Sequence, residues 1–336
     1  MGDLVSELET KQQRRRNLLI AFAVVMLVPT IAINVVNRIA TEVPPPLWTA
    51  DDLPAPPDES NGFIPIRHYD TMTISGIDLQ PIDKLLTVSK DVKLPELGRL
   101  LAPARVVASK ITEHTATCTS AFERERMVIP CLSTTASECT IEPVAICAQL
   151  VSFAALDHAA RGSAQGATLL SHVLRQLADA ASNSRHPFVQ AKALLLLREA
   201  IHHAAVIIKW RRGSTTSVRD ALKAIDEETL PLEHAVIASF LLKHLALKEA
   251  VARTDTWLLD EGKIMTGLNE AFASADNGGE LAPPPDFTAG PLWWFDNPVG
   301  KRMLEAVEPG ADEDFEKLKE VRKTVLQRRN EALKLK

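Results

Sequence analysis

The sequence predicts an all-α protein, with an N-terminal transmembrane helix followed by an extracytoplasmic helical bundle or short helical solenoid. Three observations carry this. A charge-free apolar run occupies residues 17–36. From about Lys93, apolar residues recur at helical spacing between proline and glycine breakers. Strand signals are few and no β-α alternation occurs, which excludes a doubly wound sheet.

The run from Asn17 to Val36 is 20 residues long, and at about 1.5 Å per residue it spans a hydrocarbon core of about 30 Å. Pro29 lies inside it, which a membrane helix tolerates. Lys11, Arg14, Arg15 and Arg16 flank its start, while only Arg38 lies close to its end. The positive-inside rule therefore places residues 1–16 in the cytoplasm and the chain beyond about residue 37 outside it. In a bacterial cell this means the inner membrane, with the C-terminal domain in the periplasm. The exit Asn37-Arg38-Ile39-Ala40-Thr41 offers no small-x-small cleavage site, so the helix is expected to remain as an anchor.

Residues 37–62 form a proline-rich linker, with Pro44, Pro45, Pro46, Pro54, Pro56 and Pro57. Proline fixes φ and removes donors, so the segment is expected to be an extended spacer. Trp48 suits either the lipid headgroup region or a seat on the following domain.

A helical ectodomain is expected over 63–310. Its cysteines, Cys118, Cys131, Cys139 and Cys147, all fall within 118–147. None forms a C-x2-C pair, which disfavours a zinc ribbon or redox motif. An even count on the oxidising side of a membrane implies two disulfides. Three pairings are possible; local loop closure favours Cys118–Cys131 and Cys139–Cys147. Within this domain, helices are expected from Pro95 through Ile111, over 142–161 with Gly162 as stop, over 163–181, and from Pro187 to about Arg212. The last of these is apolar on nearly all sides and reads as the central buried helix. Lys192, Arg198, Glu199, His202 and His203 exclude it as a second membrane span. A short helix opening at Ser217, one from Pro231 to about Arg253 and one over 258–274 follow. A C-terminal amphipathic helix, over 311–336, is capped by Asp312. Phe63-Ile64-Pro65-Ile66 and Met72 to Ile77 are short β-compatible runs.

The formal net charge is −5 and there is no basic field, which excludes nucleic acid as an expected partner. No G-x-S-x-G, H-E-x-x-H, P-loop or G-x-G-x-x-G pattern is present. His202 and His203 are adjacent, so on a helix they diverge by about 100° and do not converge on one ion. Glu199 is placed one turn before His203 and can bond it. Asp157-His158 and Glu233-His234 fail the same geometric test, and Glu123-Arg124-Glu125-Arg126 reads as a solvated stretch. No catalytic residue, cofactor or metal is expected. Two apolar features are candidate contact surfaces. One is Trp293-Trp294-Phe295, in a chain that is only 5% aromatic. The other is the C-terminal stripe of Phe315, Leu318 and Val325; docking on the protein's own domain is the alternative for both.

Asn61-Gly62-Phe63 after Pro56-Pro57-Asp58-Glu59, and Asn297-Pro298-Val299-Gly300-Lys301 before Arg302-Met303-Leu304, carry a resemblance. With the anchor and the cysteine-bearing middle, the chain resembles a class of proteobacterial single-pass inner-membrane proteins with an N-G-[FY] segment and a C-terminal N-P-[VI]-G-[KR] motif. That resemblance implies the topology and a single ectodomain, and assigns no catalytic residues. The expected role is a non-enzymatic interaction or scaffold component of the cell envelope, whose partners are the lipid bilayer and an envelope protein. The alternatives are an envelope enzyme with a dispersed site, centred on Glu199 and His203, or a helical module binding lipid or a small ligand.

Overall fold

A computed structural model describes residues 2–40, 43–53, 58–69, 78–87, 94–131, 139–210, 214–253, 261–273 and 309–335. Among them the protein is all-α. No strand occurs; a single isolated bridge joins Asn61 to Arg126. The helices are α1 (Gly2–Ala40), α2 (Phe63–Ile66), α3 (Gln80–Leu86), α4 (Leu94–Lys110), α5 (Thr112–Phe122) and α6 (Glu142–Ala160). They continue with α7 (Gln165–Asn183), α8 (Pro187–Trp210), α9 (Thr216–Ala224), α10 (Glu233–Arg253), α11 (Glu261–Ala273) and α12 (Pro309–Leu333).

The described residues divide into two units. The first holds the chain up to Leu47 together with Ala246 to Ala273. Its α1 contains a span from Gln13 to Ala32 that is long and apolar enough to cross a membrane, and none of it is covered by protein. Leu18 and Leu19 are each 70% exposed, an arrangement that water disfavours. In the same unit the Asn269 side chain binds the proline segment from both sides. Its Nδ2 donates to the Pro45 carbonyl at 2.9 Å and its Oδ1 accepts from the Leu47 amide at 3.1 Å. A proline run cannot supply a hydrogen-bond ladder, so one amide side chain satisfies the backbone groups that remain.

The second unit runs from Trp48 to Leu245 and includes α12. Its centre is α6, α7 and α8, each packed on the other two, with α12 laid along α8. A solenoid element touches only its neighbours in sequence. Here the last helix returns to the middle one, so this unit is a bundle. α6 is predominantly apolar, from Val144 and Cys147 to Phe153 and Leu156, and none of its residues is exposed. By length and hydropathy it too could cross a membrane, but 72% of its span lies inside the protein, which makes it a core helix.

Local chemistry sets the boundaries. α6 ends at Gly162, whose φ is +81°. The Ser163 amide donates back to the His158 carbonyl and the Gly162 amide to Ala159, which satisfies the last turn. A Cβ on Gly166 would overlap the Ala155 carbonyl and the Ala159 amide, so the start of α7 crosses α6 at van der Waals range. α8 opens with Pro187 behind His186, whose Nδ1 accepts the Phe188 amide at 3.1 Å. α12 is clamped by two arginines. Arg322 donates to the Leu230 and Glu227 carbonyls, and Arg329 to those of Leu222 and Lys223 at the end of α9.

Several expectations change. Phe63–Ile66 forms a helical turn, not a strand, because Asn61 and Gly62 are held elsewhere. The Asn61 side chain is fully buried and exchanges hydrogen bonds with the Val128 backbone, at 2.8 and 3.1 Å. Gly62 has an ordinary helical φ of −66°; it must be glycine because a Cβ would overlap the Ala121 carbonyl. Trp48 docks on the domain, edge-on to Phe240 at 5.3 Å between ring centres. Val106, an apolar position of the helix expected from Pro95 through Ile111, is 61% exposed. α9 begins before Ser217, with Ser214 Oγ accepting the Thr216 amide at 3.4 Å. α12 begins at Pro309, so Asp312 lies within the helix instead of capping it. Glu123 and Glu125 are exposed, but Arg124 donates to the Glu59 carbonyl and Arg126 lies 3.7 Å from Asp179. That stretch straps the chain onto α7. The Met72–Ile77 run lies outside the described residues.

Candidate functional site

All four cysteines are bonded, as Cys118–Cys147 and Cys131–Cys139. This corrects the expected pairing. Local loop closure favours the shortest loops, but α5 carries Cys118 against α6, where its Cα lies 5.0 Å from that of Cys147. Both of these cysteines are fully buried. The bond is therefore a staple between two helices, and the remaining pair closes a short loop of its own.

Leu318 and Val325 are 3% and 0% exposed. They repeat with Ala332, also buried, at heptad spacing along α12. The stripe is covered by α8 and α9 of the same chain, so these two residues are taken up by the fold and do not form a free contact surface. The Phe315 side chain lies outside the described residues, as do Trp293, Trp294 and Phe295 and the Asn297-Pro298-Val299-Gly300-Lys301 motif.

The second unit has a cavity of about 590 Å³ between α3, α6 and α8, with one residue of α12 at its wall. That size suits a small ligand. α8 supplies Arg198, Glu199, His202 and His203 from two successive turns, α3 supplies Asp83, and α12 supplies Arg328. α6 adds Gln149 and Ser152. Ser152 is 2% exposed and His203 6%, whereas Glu199 and Arg328 reach solvent. The cavity therefore has a polar floor and a charged rim.

His203 Nε2 lies 2.9 Å from the Leu86 carbonyl oxygen. A carbonyl only accepts, so Nε2 carries the proton and Nδ1 is an acceptor. Nδ1 has no hydrogen-bond partner among the described residues. Burial lowers the His203 pKa to about 4; the Leu86 hydrogen bond raises it against that trend and neighbouring His202 lowers it further. His203 is therefore neutral at neutral pH. The bond from Glu199 to His203 suggested by their spacing is not formed, because Nε2 is turned to α3 and Glu199 to solvent. Asp83 accepts from Gln149 Nε2 at 2.6 Å, and burial, with repulsion from Asp78, raises its pKa.

The rim charges are notable for what they do not touch. Among the described residues, Arg198, Glu199 and Arg328 make no ion pair and no side-chain hydrogen bond, although both signs line one cavity. Elsewhere in the unit carboxylates are used: Asp157 holds Arg105 at 2.6 Å and also pairs with Arg161. Sequence reading singled out Glu199, His202 and His203 but missed Asp83, Gln149, Ser152 and Arg328. They lie on three other helices, and no local pattern links them.

Comparison with family models, with curated proteins and with solved structures finds no match to this chain.

Proposed function

We propose that the protein is a single-pass membrane-anchored helical domain displayed outside the cytoplasm, acting through non-covalent binding as a component of the cell envelope. The observation that carries this reading is the Gln13–Ala32 span, apolar and uncovered by protein, on a chain whose cysteines are all paired. An apolar helix of that length prefers lipid. Arg14, Arg15 and Arg16 at its start favour a cytoplasmic N-terminus. Disulfides persist in oxidising compartments, which is where that topology puts the second unit. The interaction role rests on the cavity instead of the C-terminal stripe, since Leu318 and Val325 are already buried.

Alkaline extraction tests the anchor: the full chain stays with the membrane pellet, and a chain lacking residues 1–40 leaves it. A protease-sensitive tag after Lys336 tests the side. Cleavage in intact spheroplasts supports the reading, and protection until lysis refutes it.

A further inference from the structure

We infer that the cavity between α3, α6 and α8 is a binding site for a small zwitterion, with the carboxylate of a free amino acid or short peptide held by Arg198 and Arg328 and its ammonium held by Glu199 and Asp83. This deepens the interaction role proposed above, which rests on the same cavity, and is independent of the membrane anchor.

Two guanidinium and two carboxyl groups line a cavity of about 590 Å³. Glu199 and Arg328 reach solvent at the rim, and Arg198 and Asp83 are half-buried, so the charges are open to a ligand entering the cavity. Here Arg198, Glu199 and Arg328 pair with nothing among the described residues, and Asp83 is bonded only by the neutral Gln149 amide. Arg198 and Glu199 are adjacent on α8, so their side chains leave the helix about 100° apart. Adjacency on a helix thus keeps them from pairing and aims the two signs at different parts of the opening. A ligand carrying only an anion would leave Glu199 and Asp83 unanswered, and a cation would leave both arginines unanswered. A ligand with both charges satisfies each set.

The floor agrees with this. Ser152 is buried and lies in the cavity lining, able to donate or accept. His203 is neutral there and presents no competing charge. Leu86, Ile146 and Leu196 give the lining enough apolar surface for a small aliphatic side chain. The combination of an apolar body and a few placed polar groups is typical of small-molecule sites. Guanidinium groups suit a planar carboxylate because they can offer two parallel N–H donors.

The test uses the detergent-solubilised full chain and three matched probes measured by calorimetry. Alanyl-alanine carries both charges, N-acetyl-alanyl-alanine only the anion, and alanyl-alanine amide only the cation. Alanyl-alanine is expected to bind at least about tenfold more tightly than either blocked probe. R198M/R328M should remove the preference for a free carboxylate without weakening binding of the amide, whose ammonium no longer meets two guanidinium charges. D83N/E199Q should remove the preference for a free ammonium without weakening binding of the acetylated probe. The retained binding of one blocked probe in each variant shows that the fold persists. Equal affinities for the three probes, no binding of any, or variants that do not separate the two preferences would each overturn the proposal.

Discussion

Acidification from pH 7.5 to pH 4 should destabilise the second unit through His203. The unfolded chain holds a histidine with a pKa near 6.5, and the folded protein holds His203 at about 4. Between those values the unfolded state binds more protons, so stability rises with pH across that window. Above about 6.5 the contribution is at its most favourable; it is lost as pH falls towards 4 and changes little below. Integrated to pH 4, the difference amounts to about 3 kcal/mol, a large share of the roughly 5–15 kcal/mol that holds a typical domain together. Other groups at the cavity also titrate or carry charge: Asp83 on α3, Glu199, His202 and Arg198 on α8, and Arg328 on α12. Asp83 works the other way, since its raised pKa makes the folded state the better proton binder above the ordinary carboxylate range. Comparison with H203Q isolates the histidine. Glutamine keeps an N–H that can reach the Leu86 carbonyl but has no titrating ring. Urea unfolding of both proteins, followed by the far-UV helical signal at pH 4, 5, 6 and 7.5, should give stability differences that shrink or reverse as pH falls. Parallel pH profiles for the two proteins would refute the reasoning, because the acid sensitivity would then come from somewhere else.

Peptide mapping under non-reducing conditions should return Cys118 linked to Cys147 and Cys131 linked to Cys139. With sequence separations of 29 and 8, chain-entropy reasoning gives losses of about 3.5 and about 2.5 kcal/mol for C118A/C147A and C131A/C139A; equal losses in urea unfolding would contradict the staple. R329A removes donors from the Leu222 and Lys223 carbonyls and should cost about 1 kcal/mol, read as a lower Tm, with R329K recovering little because an ammonium lacks the planar fork. Full recovery by lysine would mean that only charge matters at the end of α9.

The parts of the fold legible in the sequence are those built from long periodic runs. α6, α7, α8 and α10 announce themselves by apolar spacing, and Gly162 and Pro187 by backbone chemistry. α5 does not. Its sequence is rich in threonine, a weak helix former whose hydroxyls at Thr115, Thr117 and Thr119 bond carbonyls four residues back, and the helix is held by packing on α6 and by the Cys118–Cys147 bond. Missing α5 is what misled the disulfide pairing, since Cys118 reaches Cys147 only along that helix. Asn61-Gly62 does turn the chain, with the Ile64 amide donating to the Asn61 carbonyl and the Phe63 amide to Asn61 Oδ1, and the buried side-chain pairing of Asn61 with Val128 is the part that the dipeptide alone does not reveal.

The cavity illustrates a different limit. In the sequence, Arg198, Glu199, His202 and His203 look like interruptions of an apolar helix, and they served to exclude a membrane span. In the bundle they occupy two successive turns of α8 at the place where α3 and α6 stand back from it. A helix covered by α6, α7 and α12 cannot bury unpaired charges in the low-dielectric centre without large cost. The charged turn and the cavity therefore require each other. If fold stability were the sole constraint, leucine at those positions and a closed contact between α3 and α8 would serve better. Residues 198–203 thus place four ionisable groups beside an open cavity, Glu199 in solvent and His203 buried beneath it, and a ligand bound in the opening would use groups that packing leaves unused.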